Sequence, residues 1–282
     1  MCSHLVDAGL EVRVTNRTRS KASTLLDKGA LWCSSPEELA LKSSVVITML
    51  GTPDDVRDVY LGSGAVLDAV SEGTVLVDMT TSEPSLAVEI SEAASARGLL
   101  ALDAPVTGGD VGARAASLAI MVGGTRDAFE RALPVLSIMG SVVSLQGGPG
   151  AGQHTKMVNQ IAIASGMVAV CEALFYAQRA GLDLELVMST ISTGAAASWL
   201  LSNNGPKMLG GDFDPGFRVD HFVKDLGIAL HEARRLKIAL PGLALAEQLY
   251  VAASAHGLGG ASTNALVVAL ANLSGAPWPP QL

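Results

Sequence analysis

The feature that most constrains this chain is a change of period near Gly147. Before it, short aliphatic and β-branched runs alternate with helical patterns. Glu11–Thr15, Val45–Met49, Thr74–Asp78, Leu99–Asp103, Leu118–Val122 and Val142–Leu145 read as strands. Continuous apolar runs without polar alternation suit strands buried on both faces, as in a parallel sheet. Arg19–Lys28, Pro53–Tyr60 and Ser85–Arg97 read as the intervening helices, the first and last stopped by Gly29 and Gly98. Strand and helix in turn predict a doubly wound α/β unit. The glycine-rich stretch Gly147–Gly152 then punctuates the chain, and the rest is almost wholly helical in pattern. Two domains follow, 1–149 and 150–282, the second opening with a long apolar helix from about Gln153 to Ala180.

Composition narrows the classes. Of 282 residues, 49% are hydrophobic and 16% charged, which excludes a disordered chain. The net charge of −8 gives no basic surface for a nucleic-acid partner. Cys2, Cys33 and Cys171 have no metal-ligand spacing, and none of the five histidines pairs at such a spacing, so no catalytic metal is expected. The most apolar stretch, Ile161–Ala177, is short for a span and reads as a buried helix, so no membrane association is expected. Asp7 and Glu11 interrupt any secretory pattern, and a cytoplasmic location is expected.

A dinucleotide-binding sheet opens with a strand, then G-x-G-x-x-G, then a helix. Here Met1–Ala8 reads as a helical stub ended by Gly9, followed directly by the strand Glu11–Thr15. The expectation is a sheet whose first strand and glycine loop are missing from this chain. At the end of the Glu11–Thr15 strand stand Asn16, Arg17 and Thr18. A carboxylate there would bind a free ribose and repel a phosphate. Arg17 can instead pair with a 2′-phosphate and Thr18 can donate to it, which favours NADP and leaves NAD possible.

Lys156 stands in the first turns of an apolar helix, with Asn159 and Gln160 on its face at i+3 and i+4. A lone cation with two amides on a greasy surface suits a positioned general acid. Thr107, Gly108 and Gly109 follow a strand and Pro105, where backbone N–H groups of a turn can hold a carboxylate. Trp199 follows the small-residue run Gly194–Ser198 and suits either a pocket wall or core packing.

Five segments carry a family resemblance over essentially the whole chain: Asn16-Arg17-Thr18, Asp78-Met-Thr-Thr-Ser-Glu-Pro84, Asp103-Ala-Pro-Val-Thr-Gly-Gly109, Gly150-Ala-Gly-Gln-His-Thr-Lys156-Met-Val-Asn159, and Gly211-Asp-Phe-Asp-Pro-Gly-Phe217 with Lys224-Asp225-Leu226. In these the sequence resembles the β-hydroxyacid dehydrogenases, a family that includes 3-hydroxyisobutyrate dehydrogenase and tartronate semialdehyde reductase. The resemblance implies a Rossmann-like doubly wound parallel sheet, first strand missing, followed by an all-α C-terminal domain. It implies hydride transfer between NADP(H) or NAD(H) and a small 3-hydroxy acid or semialdehyde. Lys156 would be the catalytic group, and Thr107, Gly108 and Gly109 would bind the substrate carboxylate. Thr81 and Lys224 would lie beside the nicotinamide, with Phe217 and Asp225 closing the site. Many members have Asn where this chain has Gln160, so Asn159 and Gln160 both stand as candidates to orient the substrate. A homodimer or homotetramer is expected. 6-Phosphogluconate dehydrogenase-like, imine reductase-like and non-catalytic readings are the alternatives.

Overall fold

The computed structural model describes Met1–Pro279. It divides into two units, the first Met1–Lys156 and the second starting at Met157. The expected boundary at 149/150 falls where the helix Ala151–Arg179 begins, and that helix runs on into the second unit.

In the first unit, β1 (Arg13–Val14) and β2 (Leu31–Trp32) form a small parallel sheet of their own. The remaining strands are β3 (Val45–Thr48), β4 (Val75–Asp78), β5 (Leu100–Asp103), β6 (Val106–Thr107), β7 (Leu118–Gly124) and β8 (Gly140–Gly147). They form one sheet in the order β3-β4-β5-β7-β6, with β8 also on β7. β4 is buried along its whole length, as its apolar run requires. Val75 and Val77 face a core with Leu102, Ile120 and Phe129, while Leu76 faces one with Val46, Tyr60 and Leu86. Both faces are therefore covered.

The doubly wound parallel sheet expected from the sequence is present, as a mixed sheet. β3, β4 and β5 are parallel, but β7 runs antiparallel to β5 and β6. The connection explains the reversal. Between β6 and β7 there is only the short helix Gly109–Arg114, too little for a crossover. Helix Arg126–Leu136 does provide one, and β8 returns parallel to β7.

The sheet is also split. β1 pairs only with β2, and β3 only with β4, among the described residues. Their other edges line one cavity of about 700 Å³, with Leu5, Val12, Val14, Val45 and Ile47 in its wall. This explains why β3 is buried only at alternate residues, Val46 and Thr48. In a sheet of order 3-2-1-4-5-6, the strands β2, β1, β3, β4 and β5 take places 3, 2, 4, 5 and 6. The cavity lies between β1 and β3.

The second unit is helical. Its main helices after the long one are Leu184–Ile191, Trp199–Leu209, Val219–Arg235, Pro241–Ala253 and Leu266–Leu273. Met167, Cys171 and Leu174 of the long helix pack in a core with Phe222, Leu226, Tyr250 and Leu266. By length and composition this helix could cross a membrane, yet its apolar face is built into that core. Val158 and Tyr176 on the same helix are exposed. Trp199 is exposed as well, which speaks against core packing, one of the two roles it suited.

Candidate functional site

Register builds the first half of the site. Thr48 pairs with Asp78 across β3 and β4, and Asp78 with Asp103 across β4 and β5. Three polar residues thus stand in a row at the carboxyl ends of parallel strands, the place where open α/β sheets bind ligands. Asp78 Oδ1 accepts from Thr48 Oγ1 at 2.8 Å and from the Thr80 amide at 3.1 Å. Thr48 Oγ1 also lies 2.9 Å from the Tyr60 hydroxyl. Burial pushes the Asp78 carboxyl up to about 6, against the hydrogen bonds from Thr80 and Thr48, which lower it. Burial raises Asp103 too, opposed by the backbone N–H groups it accepts.

Those N–H groups belong to the start of the long helix. Asp103 Oδ1 accepts from the Gly150 amide and Oδ2 from the Gln153 amide, both at 2.8 Å. A buried carboxylate thereby caps a helix start whose amides otherwise lack partners. Two glycines make the approach possible. A Cβ on Gly152 would overlap the Met121 carbonyl, and one on Gly123 would overlap Asp103 Oδ1. Next comes the lysine. Lys156 is 7% exposed, and its Nζ donates to the Val106 carbonyl at 2.9 Å. Val106 leads directly into Thr107, Gly108 and Gly109, and both glycines hold positive φ, +128° and +64°. Only glycine adopts such angles without strain.

The loop after β4 carries Thr81. Its neighbours are held by Gln153, whose Nε2 donates to the Thr80 carbonyl at 2.7 Å and whose Oε1 accepts from the Ser82 amide at 3.0 Å. Thr80 Oγ1 accepts from the Leu50 amide at 2.8 Å, tying this loop to the one after β3. Asn16, Arg17 and Thr18 follow β1. Asn16 Oδ1 accepts from the Thr18 amide, and Arg17, 84% exposed, pairs with Asp55 at 3.3 Å. Asp55 is itself engaged in a capping box with Thr52.

The second unit holds the other candidates as a connected chain. Asn159 Nδ2 donates to Gln160 Oε1 at 2.7 Å, and Gln160 Nε2 donates to Asp225 Oδ2 at 2.6 Å. Lys224 Nζ lies 3.1 Å from Asp225 Oδ1. Gln160 and Asp225 are each 1% exposed, whereas Asn159 is only half-buried. Phe217 stacks edge-on against Phe222, one turn before Asp225. Spacing alone had left Asn159 and Gln160 equivalent. The structure turns Gln160 inward, onto a buried carboxylate.

Asp103 and Gln153 were visible in the motifs but carried no assigned role. Their partners lie some 50 and 70 residues away in sequence, and no local pattern marks them. Among the described residues no three His, Cys, Asp or Glu side chains group as a metal site.

The residues fit a nicotinamide dinucleotide at its two ends. Asn16–Thr18 lie where β1 ends and Thr80–Ser82 where β4 ends, and Asn16 and Leu50 both line the cavity between β1 and β3. This geometry defines a dinucleotide-binding unit joined to a helical unit by one lysine-bearing helix. Comparison with known proteins makes it specific. Residues 1–148 match the family model described as the NAD binding domain of 6-phosphogluconate dehydrogenase. Residues 150–270 match that described as the NAD-binding of NADP-dependent 3-hydroxyisobutyrate dehydrogenase. A 3-hydroxyisobutyrate dehydrogenase-like protein of Arabidopsis thaliana is 52% identical over 276 residues, covering 97% of this chain and 82% of its own. The 2-hydroxy-3-oxopropionate reductase of Escherichia coli is 34% identical over 270 residues, covering 96% and 92%. The solved 3-hydroxyisobutyrate dehydrogenase of Mycobacterium tuberculosis, crystallised with L-serine, superposes with a TM-score of 0.88 at 32% identity, covering 95% of this chain and 94% of that one. The chain belongs to the 3-hydroxyisobutyrate dehydrogenase family of NAD(P)-dependent oxidoreductases, the β-hydroxyacid dehydrogenases.

Proposed function

We propose that this protein interconverts a small 3-hydroxy acid and its semialdehyde, with Lys156 as general acid and base and NADP(H) preferred over NAD(H). The observation that carries the reading is the buried Lys156 ammonium, bonded to the Val106 carbonyl beside the Thr107-Gly108-Gly109 turn. The nicotinamide, when bound, accepts or supplies the hydride. The chain's own residues do the rest. The Thr107 hydroxyl and the amides of Gly108 and Gly109 bind the substrate carboxylate. In reduction the Lys156 ammonium gives a proton to the oxygen as negative charge develops there, and in oxidation the amine takes it back. Asn159, half-buried one turn further along the helix, orients the substrate oxygen. Gln160 serves to hold Asn159 against Asp225. Thr81 and Lys224 would hold the nicotinamide end, and Phe217 would help exclude water.

The relatives' substrates, 3-hydroxyisobutyrate and 2-hydroxy-3-oxopropionate, share a carboxylate and a carbon that cycles between alcohol and aldehyde. That shared chemistry supports the substrate class. NADP preference is supported by Arg17 and Thr18 standing where a discriminating carboxylate would otherwise be. Arg17 would leave Asp55 for a 2′-phosphate at little cost, because an exposed pair contributes only about 0–1 kcal/mol.

The test is Lys156→Ala, assayed on a panel of 3-hydroxy acids and semialdehydes. Turnover is expected to fall on the order of 10²–10⁴-fold with cofactor affinity nearly unchanged. Turnover within a few-fold of the parent would sink the lysine assignment.

A further inference from the structure

Gln153 is wholly buried, although an amide taken out of water must find partners for both its ends. It finds them on either side of Thr81. Nε2 donates to the carbonyl of Thr80 and Oε1 accepts from the amide of Ser82. A side chain here does what a neighbouring strand does in a ladder: it straddles one residue of an extended segment and fixes it. Gln153 is itself fixed from behind, since its backbone amide donates to Asp103 Oδ2. On the helix it stands three residues before Lys156, on the same face. Lys156 in turn donates to Val106, three residues beyond Asp103. The segment Asp103–Val106 is thus bonded to the helix at both ends, and the Thr81 loop is bonded to that helix between them.

We propose that Gln153 is a positioning residue, which locks the Thr81 loop to the lysine-bearing helix so that nicotinamide loop, lysine and carboxylate turn keep one spacing. The proposal rests on the reading of Lys156 and Thr81 given above. It explains why a polar side chain occupies a wholly buried place beside the strand ends. An error of about 1 Å in such spacing costs on the order of 10²-fold in rate. Thr80 is also held by Asp78 at the end of β4 and by the Leu50 amide after β3.

Two substitutions test this in the full chain. Gln153→Met keeps the length and apolar stem but removes both hydrogen bonds. Gln153→Glu keeps both when its carboxyl is protonated, donating to Thr80 and accepting from Ser82, and loses the donor when ionised. The first readout needs no cofactor: hydrogen exchange at the Ser82 amide. Gln153→Met is expected to speed it by at least tenfold, and Lys156→Ala to leave it unchanged. The second is turnover of 3-hydroxyisobutyrate with NADP⁺. Gln153→Met is expected to lower kcat by about 10–100-fold with a much smaller change in KM. Gln153→Glu is expected to recover toward the parent as pH falls, while Gln153→Met keeps the parent's profile. In the Lys156→Ala background, Gln153→Met should cost less than about twofold more, because the group it aligns is gone.

Parent-like kcat in a folded Gln153→Met protein, or an equal fold-loss in both backgrounds, overturns the proposal. So does a Gln153→Glu protein whose activity ignores pH. Parent-like turnover in Lys156→Ala alone overturns the lysine reading instead. In that case the Ser82 exchange and the Gln153→Met turnover still decide whether Gln153 positions the loop. Should Gln153→Met fail to fold, the pH dependence of Gln153→Glu decides it.

Discussion

Replacing Asp78 by Asn is predicted to make the protein more stable at neutral pH and to leave it nearly unaltered in acid. Asp78 is buried at the end of β4, with its carboxyl raised to about 6. In the unfolded chain an aspartate titrates near 3.9. Between these values the folded state holds a proton that the unfolded state has released. Stability must therefore fall as pH rises through that window. A difference of about two pH units corresponds to roughly 3 kcal/mol at 1.36 kcal/mol per unit. The full cost is present above the folded value and absent below the unfolded one. Asn keeps an oxygen to accept from Thr48 and Thr80, so the hydrogen bonds survive while the charge goes. The assay is urea unfolding of parent and variant at steps from pH 4 to 7.5, read as the difference in free energy at each pH. That difference is expected to grow in the variant's favour by about 3 kcal/mol between pH 4 and 7, then level off. The charge of Asp103 adds to the rise at Asp78, after burial. A flat difference, or one growing in the parent's favour, refutes the argument from burial.

Two further outcomes follow from the same geometry. Arg17→Ala should weaken NADPH far more than NADH, by about 1–3 kcal/mol if the 2′-phosphate pair is desolvated; equal losses in titration with both cofactors remove Arg17 from discrimination. Gly123→Ala would put a methyl onto Asp103 Oδ1, and 2.7 and 2.8 Å from the Gly152 and Ala151 amides, breaking the seat of the long helix. It should cost about 3 kcal/mol in unfolding experiments, and a parent-like Tm would show that the helix start can shift freely.

Much of the architecture was legible because it is local. Val75–Val77, buried on both faces, advertise themselves by an apolar run, and Gly29 and Gly98 end helices at positive φ because no Cβ opposes it. The motifs around Lys156 and Thr107 were legible for the same reason, since the residues concerned are neighbours in sequence. Two-residue strands such as Leu31–Trp32 and Val106–Thr107 were not, because two residues have no period.

The amino-acid order by itself determined the strand–helix alternation, the switch to helix after Gly147, and the placing of Lys156 on a helix face with Asn159 and Gln160. These depend on contacts between residues a few positions apart. Tertiary structure alone decided that β7 runs against β5, since an apolar strand reads the same in either direction. It decided that Gln160 is spent on Asp225, leaving Asn159 the less buried amide, and that Arg17 rests on Asp55. It also decided that Asp103 caps the long helix and that Gln153 straddles Thr81. A hydrogen-bonding group in a sequence states what it can donate or accept. Which partner it meets, 50 or 70 residues away, is settled only when burial removes water as the alternative.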